Sequence, residues 1–128
     1  MKIQAIAPLF TTARLQETKA FYTDYLGFEA HVQMDCYLGL RLGEEGPSLD
    51  FLTANDEDRP AASGTGLFYC FAVECADTSY EELKGKGAPV GDAPENKPWG
   101  ERSFTFDDPN GITIYISQTL TEKVESPA

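Results

Sequence analysis

An internal repeat constrains this chain more than any other feature. Residues 3–10, Ile-Gln-Ala-Ile-Ala-Pro-Leu-Phe, read as a strand, followed by a helical stretch that closes at Gly27. Three short extended segments come next, near 28–34, 36–42 and 47–52, punctuated by Gly43, Gly46 and Pro47. The same order then recurs. Residues 67–74 form an apolar strand, a second helical stretch closes at Gly87, a polar stretch covers 88–100, and strands are expected at 102–107 and 112–117. The helix-ending glycines stand at 27 and 87, a period of 60 residues. A strand–helix–strands unit used twice implies two similar halves related by a pseudo-twofold axis.

Local signals support both halves. Thr11 or Thr12 can cap the first helix, which carries Leu15, Thr18, Phe21, Tyr22, Tyr25 and Leu26 on one broad face. Asp77 or Thr78 is expected to cap the second, Thr78 and Glu81 having capping-box spacing, with Tyr80 and Leu83 facing inward. Asp108-Pro109-Asn110-Gly111 reads as a tight turn between the last two strands. Pro8 cannot donate to a sheet ladder, which points to an edge, a bulge or a strand that crosses between subunits.

Charge and composition narrow the class. The chain has 128 residues, with 10 basic and 21 acidic side chains and a net charge of −11. The acid is spread over both halves. Such a field repels phosphate backbones and anionic lipid, so nucleic-acid and membrane-surface partners are excluded. Hydrophobic residues at 41% suffice to fill a core, and no run approaches the roughly 20 apolar residues of a membrane span. The start of the sequence lacks a signal-peptide pattern, so a cytoplasmic domain is expected. Cys36, Cys70 and Cys75 match no zinc or redox spacing, and Cys36 and Cys70 are expected as buried free thiols.

Two segments carry a resemblance. Phe21-Tyr22-Thr23-Asp24-Tyr25-Leu26-Gly27-Phe28 and Pro98-Trp99-Gly100-Glu101-Arg102-Ser103-Phe104-Thr105-Phe106-Asp107-Asp108-Pro109-Asn110-Gly111 resemble the vicinal oxygen chelate superfamily of glyoxalase I, extradiol dioxygenases and bleomycin-resistance proteins. The second motif, with Pro8, looks most like the bleomycin-resistance branch. The resemblance implies an α+β fold of two βαβββ modules, 1–54 and 66–120, forming a cup-shaped, eight-stranded sheet. It leaves 55–65 as a linker and 121–128 as a polar tail. It also implies a homodimer. Enzymes of the family hold a divalent metal at four strand positions, which by counting fall here on Ala7, Asp50, Phe68 and Tyr115. Only Asp50 is a good hard-metal ligand, so the metal site reads as lost and no cofactor is expected.

Six residues are candidates for ligand binding: Trp99, Asp50, Tyr115, Phe68, Tyr37 and Glu101. Asp50 either pairs with a cationic ligand or stands as a rim carboxylate in water. Tyr115 shares a strand face with Thr113 and Ser117, opposite Ile112, Ile114 and Ile116, a pattern that suits a lined cavity. Trp99 either stacks on a flat ligand, as in the resembled proteins, or is a loop plug that seals the cup or the dimer seam. Phe68, Tyr37 and Phe104 line the cavity or fill the core. Arg41 and Arg102 are expected to pair with nearby acids, and Asp56-Glu57-Asp58 to be a hydrated linker. His31 has no nucleophile or second histidine around it, and reads as a surface residue without a catalytic role.

Two functions compete. One is a metal-free protein that sequesters a flat, cationic or neutral, aromatic small molecule of the bleomycin type, conferring antibiotic resistance by mass action. The other is a divalent-metal-dependent lyase, isomerase or dioxygenase. That reading requires a shifted strand register that brings Gln4, Glu29, Glu74 or Glu101 to the metal.

Overall fold

The computed structural model describes residues 1–55 and 59–120; Asp56-Glu57-Asp58 and the tail at 121–128 lie outside the described residues. The chain divides between Ser63 and Gly64 into two compact units. Each is a βαβββ module with a four-stranded sheet and one helix, so the α+β class and the repeat both stand.

The first module runs β1 (Leu9–Thr12), α1 (Leu15–Leu26), β2 (Glu29–Gln33), β3 (Tyr37–Arg41) and β4 (Ser48–Thr53). Its sheet has the order β1-β4-β3-β2, with β1 parallel to β4 and the rest antiparallel. The strand expected at 3–10 is therefore displaced. Its ladder opens where the Asp50 amide donates to the Pro8 carbonyl at 3.0 Å, and Ile3 and Ile6 before it are exposed. Neither Thr11 nor Thr12 caps α1 as expected: the cap residue is Arg14, no side chain caps the helix, and the Thr12 hydroxyl oxygen instead accepts the Arg14 amide at 2.8 Å in the turn before it. Gly27 closes α1 at φ 79°, a left-handed conformation that costs glycine little. Alternation sends Leu38, Leu40, Leu49 and Phe51 toward α1, where Phe21 and Tyr22 meet them. The Tyr22 and Phe51 rings are fully buried, 5.5 Å apart. Tyr37, Asp50 and Ser48 are left half-buried on the opposite, open face.

The second module runs β5 (Phe68–Ala72), α2 (Ala76–Gly85), β6 (Glu95–Lys97), β7 (Glu101–Asp107) and β8 (Thr113–Thr119), with sheet order β5-β8-β7-β6. β6 lies within the polar stretch at 88–100, where the residues alone place no strand. Ile112, Ile114 and Ile116 pack inward with Phe104, Phe106, Tyr80 and Leu83, while Thr113, Tyr115 and Ser117 take the open face as expected. The 108–111 turn is built around buried Asp108, whose Oδ1 accepts the Asn110 and Ile112 amides at 2.7 and 2.9 Å.

The structure departs from the local expectations at α2 and at the thiols. Neither Asp77 nor Thr78 caps α2: the cap residue is Cys75, the Thr78 hydroxyl donates to Cys75 Sγ at 3.3 Å, and the Ala76 amide donates to Gln118 Oε1 of β8 at 2.9 Å. Cys36 and Cys70 are exposed, not buried, as is Cys75. β5 is an edge strand with Tyr69 and Phe71 turned inward, which leaves Phe68, Cys70 and Ala72 on the open side.

Candidate functional site

On the first module, a chain of polar side chains crosses the open face. The Tyr37 hydroxyl donates to Asp50 Oδ2, and the Ser48 hydroxyl donates to Asp50 Oδ1 at 2.6 Å. His31 Nε2 lies 3.4 Å from the same Ser48 oxygen. The register explains the convergence: β3 and β4 pair antiparallel with Gly39 opposite Asp50, so Tyr37 and Ser48 flank the carboxylate. The hydrogen bond to Asp50, then burial and the Asp50 charge, hold the Tyr37 phenol above its ordinary value. It therefore stays protonated and donating at neutral pH.

On the second module, the Tyr115 hydroxyl donates to Glu101 Oε2 and receives the buried Ser103 hydroxyl at 3.3 Å. The Phe68 ring stands 6.3 Å from that of Tyr115. Tyr115 and Ser103 also line an open hollow of about 620 Å³, together with Asp92, Glu95 and Lys97 and with Asp107 at the end of β7. That volume falls within the roughly 300–1,000 Å³ of small-molecule sites. Three carboxylates face one ammonium, and Lys97 is already paired with Glu95 at 3.6 Å. Trp99 sits in the turn between β6 and β7 with 65% of its surface exposed, which no core role would leave open.

The six candidates thus fall into two groups. Asp50 and Tyr37 are hydrogen-bonded on the first module, and Tyr115, Glu101 and Phe68 are neighbours on the second, with Trp99 close to Glu101 in sequence. Phe104 is a buried core residue, edge-on to Tyr80 and stacked on Phe106, and it also borders the hollow. Arg102 pairs with Asp77 at 3.0 Å, a contact that raises the guanidinium further. Sequence reasoning missed Ser48, Ser103 and the acids of the 88–97 stretch. It also set His31 aside, although Gly39 in mid-strand was a signal of close approach.

The metal positions fare poorly. Ala7 precedes β1 and is exposed; the residue beside Asp50 on that strand is Leu9, which has no lone pair. Cys70 stands beside Tyr115, with Phe68 opposite Thr113. Both Asp50 oxygens already accept hydroxyls, and Glu101 is engaged by Tyr115. Among the described residues, no three His, Cys, Asp or Glu side chains converge as a metal site, Glu29 and Glu74 included. The donor set does not fit a divalent ion.

Solved structures with this architecture are numerous. A glyoxalase/bleomycin resistance protein/dioxygenase from Nocardioides matches with a TM-score of 0.81 at 22% identity, covering 100% of this chain and 92% of that one. TnmS3, an antibiotic binding protein from Streptomyces sp. CB03234, matches at 0.71 and 25% identity, with 93% and 98% covered. A lactoylglutathione lyase from Agrobacterium tumefaciens matches at 0.70 and 20%, with 92% and 96% covered. No curated protein sequence matches significantly. The family model of the glyoxalase/bleomycin resistance protein/dioxygenase superfamily matches residues 2–116, and the chain belongs to that superfamily.

Proposed function

We propose that this protein is a metal-free binding protein that sequesters a flat, cationic or neutral, aromatic small molecule, an antibiotic of the bleomycin type among them. One observation carries the reading: the hollow of the second module sets Asp92, Glu95 and Asp107 against a single, already paired Lys97. An organic cation entering it is attracted, and an acidic substrate such as a glutathione conjugate is repelled. The phenol of Tyr115 directs its proton to Glu101, which leaves the hollow rich in acceptors. Ligand contacts on this module are assigned to Trp99, Tyr115, Phe68 and Glu101; on the first module, Asp50 and Tyr37 form a candidate contact of their own. Likeness to an antibiotic binding protein supports the reading; likeness to the lyase extends to the fold.

The test uses the single tryptophan. A basic glycopeptide drug added to the protein is expected to change Trp99 emission in a saturable way, with the purified protein carrying no stoichiometric transition metal. A panel of such drugs with no spectral response removes the antibiotic reading. One tightly held metal per chain removes the metal-free reading and restores the lyase, isomerase or dioxygenase alternative.

The same reading assigns a cytoplasmic homodimer. Exposed Ile3 and Ile6 ahead of Pro8 supply an apolar segment suited to pairing with a second copy. A monomeric mass at micromolar concentration counts against it. Among the described residues, no helix is long and apolar enough to cross a membrane.

A further inference from the structure

The first module contains a construction that neither the hollow nor the metal positions account for. β2 and β3 pair with a register shift between Ala30 and Val32, which leaves His31 at a bulge. A bulge turns a side chain away from its regular direction. Here the imidazole lies over Gly39: a Cβ at that position would stand 3.0 Å from His31 Nε2 and 3.2 Å from Val32 Cβ. The bulge and the missing side chain at residue 39 together let Nε2 reach Ser48 Oγ at 3.4 Å. Ser48 commits its proton to Asp50 Oδ1 at 2.6 Å, so its oxygen offers His31 only lone pairs, and Nε2 is the donor.

We propose that the open face of the first module is an amine-recognition site in which Asp50 receives an ammonium or amidinium group and His31, acting through Ser48, sets the pH range of that binding. The inference rests on the reading that Asp50 takes a ligand cation. With the imidazole neutral, the Tyr37 and Ser48 hydroxyls orient an ionised carboxylate whose remaining lone pairs face the open side. With the imidazole protonated, a positive charge stands one hydroxyl away from the carboxylate and competes with the incoming cation. The other charged or titratable groups on this face are Glu29 beside His31 on β2, Tyr37 and Arg41 on β3, and Asp50 on β4; β1 contributes Leu9 and Thr11, which carry no charge. Glu29 and Arg41 are register partners of opposite charge. Histidine is the side-chain type that ordinarily changes charge between about pH 5.5 and about pH 8, and His31 is the single histidine of the sequence. His31 is a positioning residue in this site; the group that touches the ligand is Asp50.

The test measures affinity for benzamidine, an aromatic amidinium that stays cationic over this range, and for neutral benzamide, by calorimetry at both ends of it. Benzamidine is expected to bind about fivefold more weakly to the wild type at the acidic end, the order expected for one added charge near a partly hydrated carboxylate. Benzamide should show no such ratio. In His31→Gln, which keeps a donor but gains no charge, the ratio between the two pH values should collapse toward one. His31→Lys, charged throughout, should bind weakly at both. Asp50→Asn should abolish the preference for benzamidine over benzamide. An unchanged ratio in His31→Gln, or no ratio in the wild type while Asp50→Asn still abolishes the preference, overturns the role of His31 and leaves the cation reading standing. Benzamidine binding no better than benzamide, or binding indifferent to Asp50→Asn, overturns both.

Discussion

The two modules build the same pair of functional groups with the parts exchanged. In the first, the phenol is on the third strand of the module (Tyr37) and the carboxylate on the last (Asp50). In the second, the phenol is on the last strand (Tyr115) and the carboxylate on the third (Glu101). Asp50 and Tyr115 are each the third residue of the last strand of their module, so one position presents an anion and the other an aromatic hydroxyl. A serine completes each set, Ser48 donating to the acid and Ser103 to the phenol. The repeat has thus kept its backbone and divided its chemistry. The first module offers a carboxylate oriented by hydroxyls, and the second an aromatic, acid-rimmed hollow.

The cores behind these faces differ in kind, and substitution should show it most strongly. Phe51 is fully buried against Tyr22 and Phe10, whereas the matching inward face of β8 is aliphatic. Phe51→Ala is expected to cost about 3–5 kcal/mol, lost transfer energy plus a cavity among rigid rings. Ile114→Val in the second module should cost about 0.5–1.5 kcal/mol, since one methylene leaves a site that can close. Urea midpoints of the two variants check both figures. Similar losses would mean that the aromatic cluster is as adaptable as the isoleucine face.

The turns before the last strands differ too. In the first module, Gly43 adopts φ 74° and the Leu42 amide donates to the Pro47 carbonyl at 3.3 Å. In the second, the buried Asp108 carboxylate takes two amides. Asp108→Ala strands those donors and is expected to cost about 1–3 kcal/mol in thermal unfolding. Gln118→Ala removes the acceptor of the Ala76 amide and should cost about 1 kcal/mol, in line with other helix caps. A loss below about 0.3 kcal/mol would mean that water replaces the glutamine.

What could be read in advance follows from how local each cause is. Gly27 ending α1, the 108–111 turn and the alternation of Ile112 to Ser117 all rest on neighbours within a few residues, and the sequence shows them. β6 is Glu-Asn-Lys, with no apolar period; it is a strand only because β7 pairs with it. The α2 cap comes from Gln118, 42 residues away. Cys70 sits in an apolar run that reads as buried on both sides, but the position of β5 at the sheet edge exposes one side. On the sites, Asp50, Tyr37 and Tyr115 were legible as polar groups on strand faces, while Glu101 fell one residue before the expected strand. Their pairing across strands, and the reach of His31 over Gly39, depend on register and a bulge, which the sequence does not display.

The smallest expected difference between the modules concerns their thiols. Cys36 of the first module and Cys70 and Cys75 of the second are all exposed, so access alone gives no ranking. Cys75 differs because the Thr78 hydroxyl, and then the Thr78 amide, donate to its sulfur and favour the thiolate, which lowers the thiol below its ordinary value. A lowered value means that Cys75 holds more thiolate near neutral pH than a thiol at its ordinary value does. Alkylation by iodoacetamide near neutral pH should therefore label Cys75 first, by a few-fold in rate, since a less basic thiolate is also a weaker nucleophile. The advantage should shrink as pH rises past the ordinary thiol range, where a lowered value no longer adds thiolate. Thr78→Val, which removes the hydroxyl donor and leaves the amide, should reduce the lead without abolishing it. Peptide mapping of the labelled protein reads all three sites at once. Equal labelling at neutral pH would show that the two hydrogen bonds are too exposed to water to separate this helix-start thiol from its counterparts.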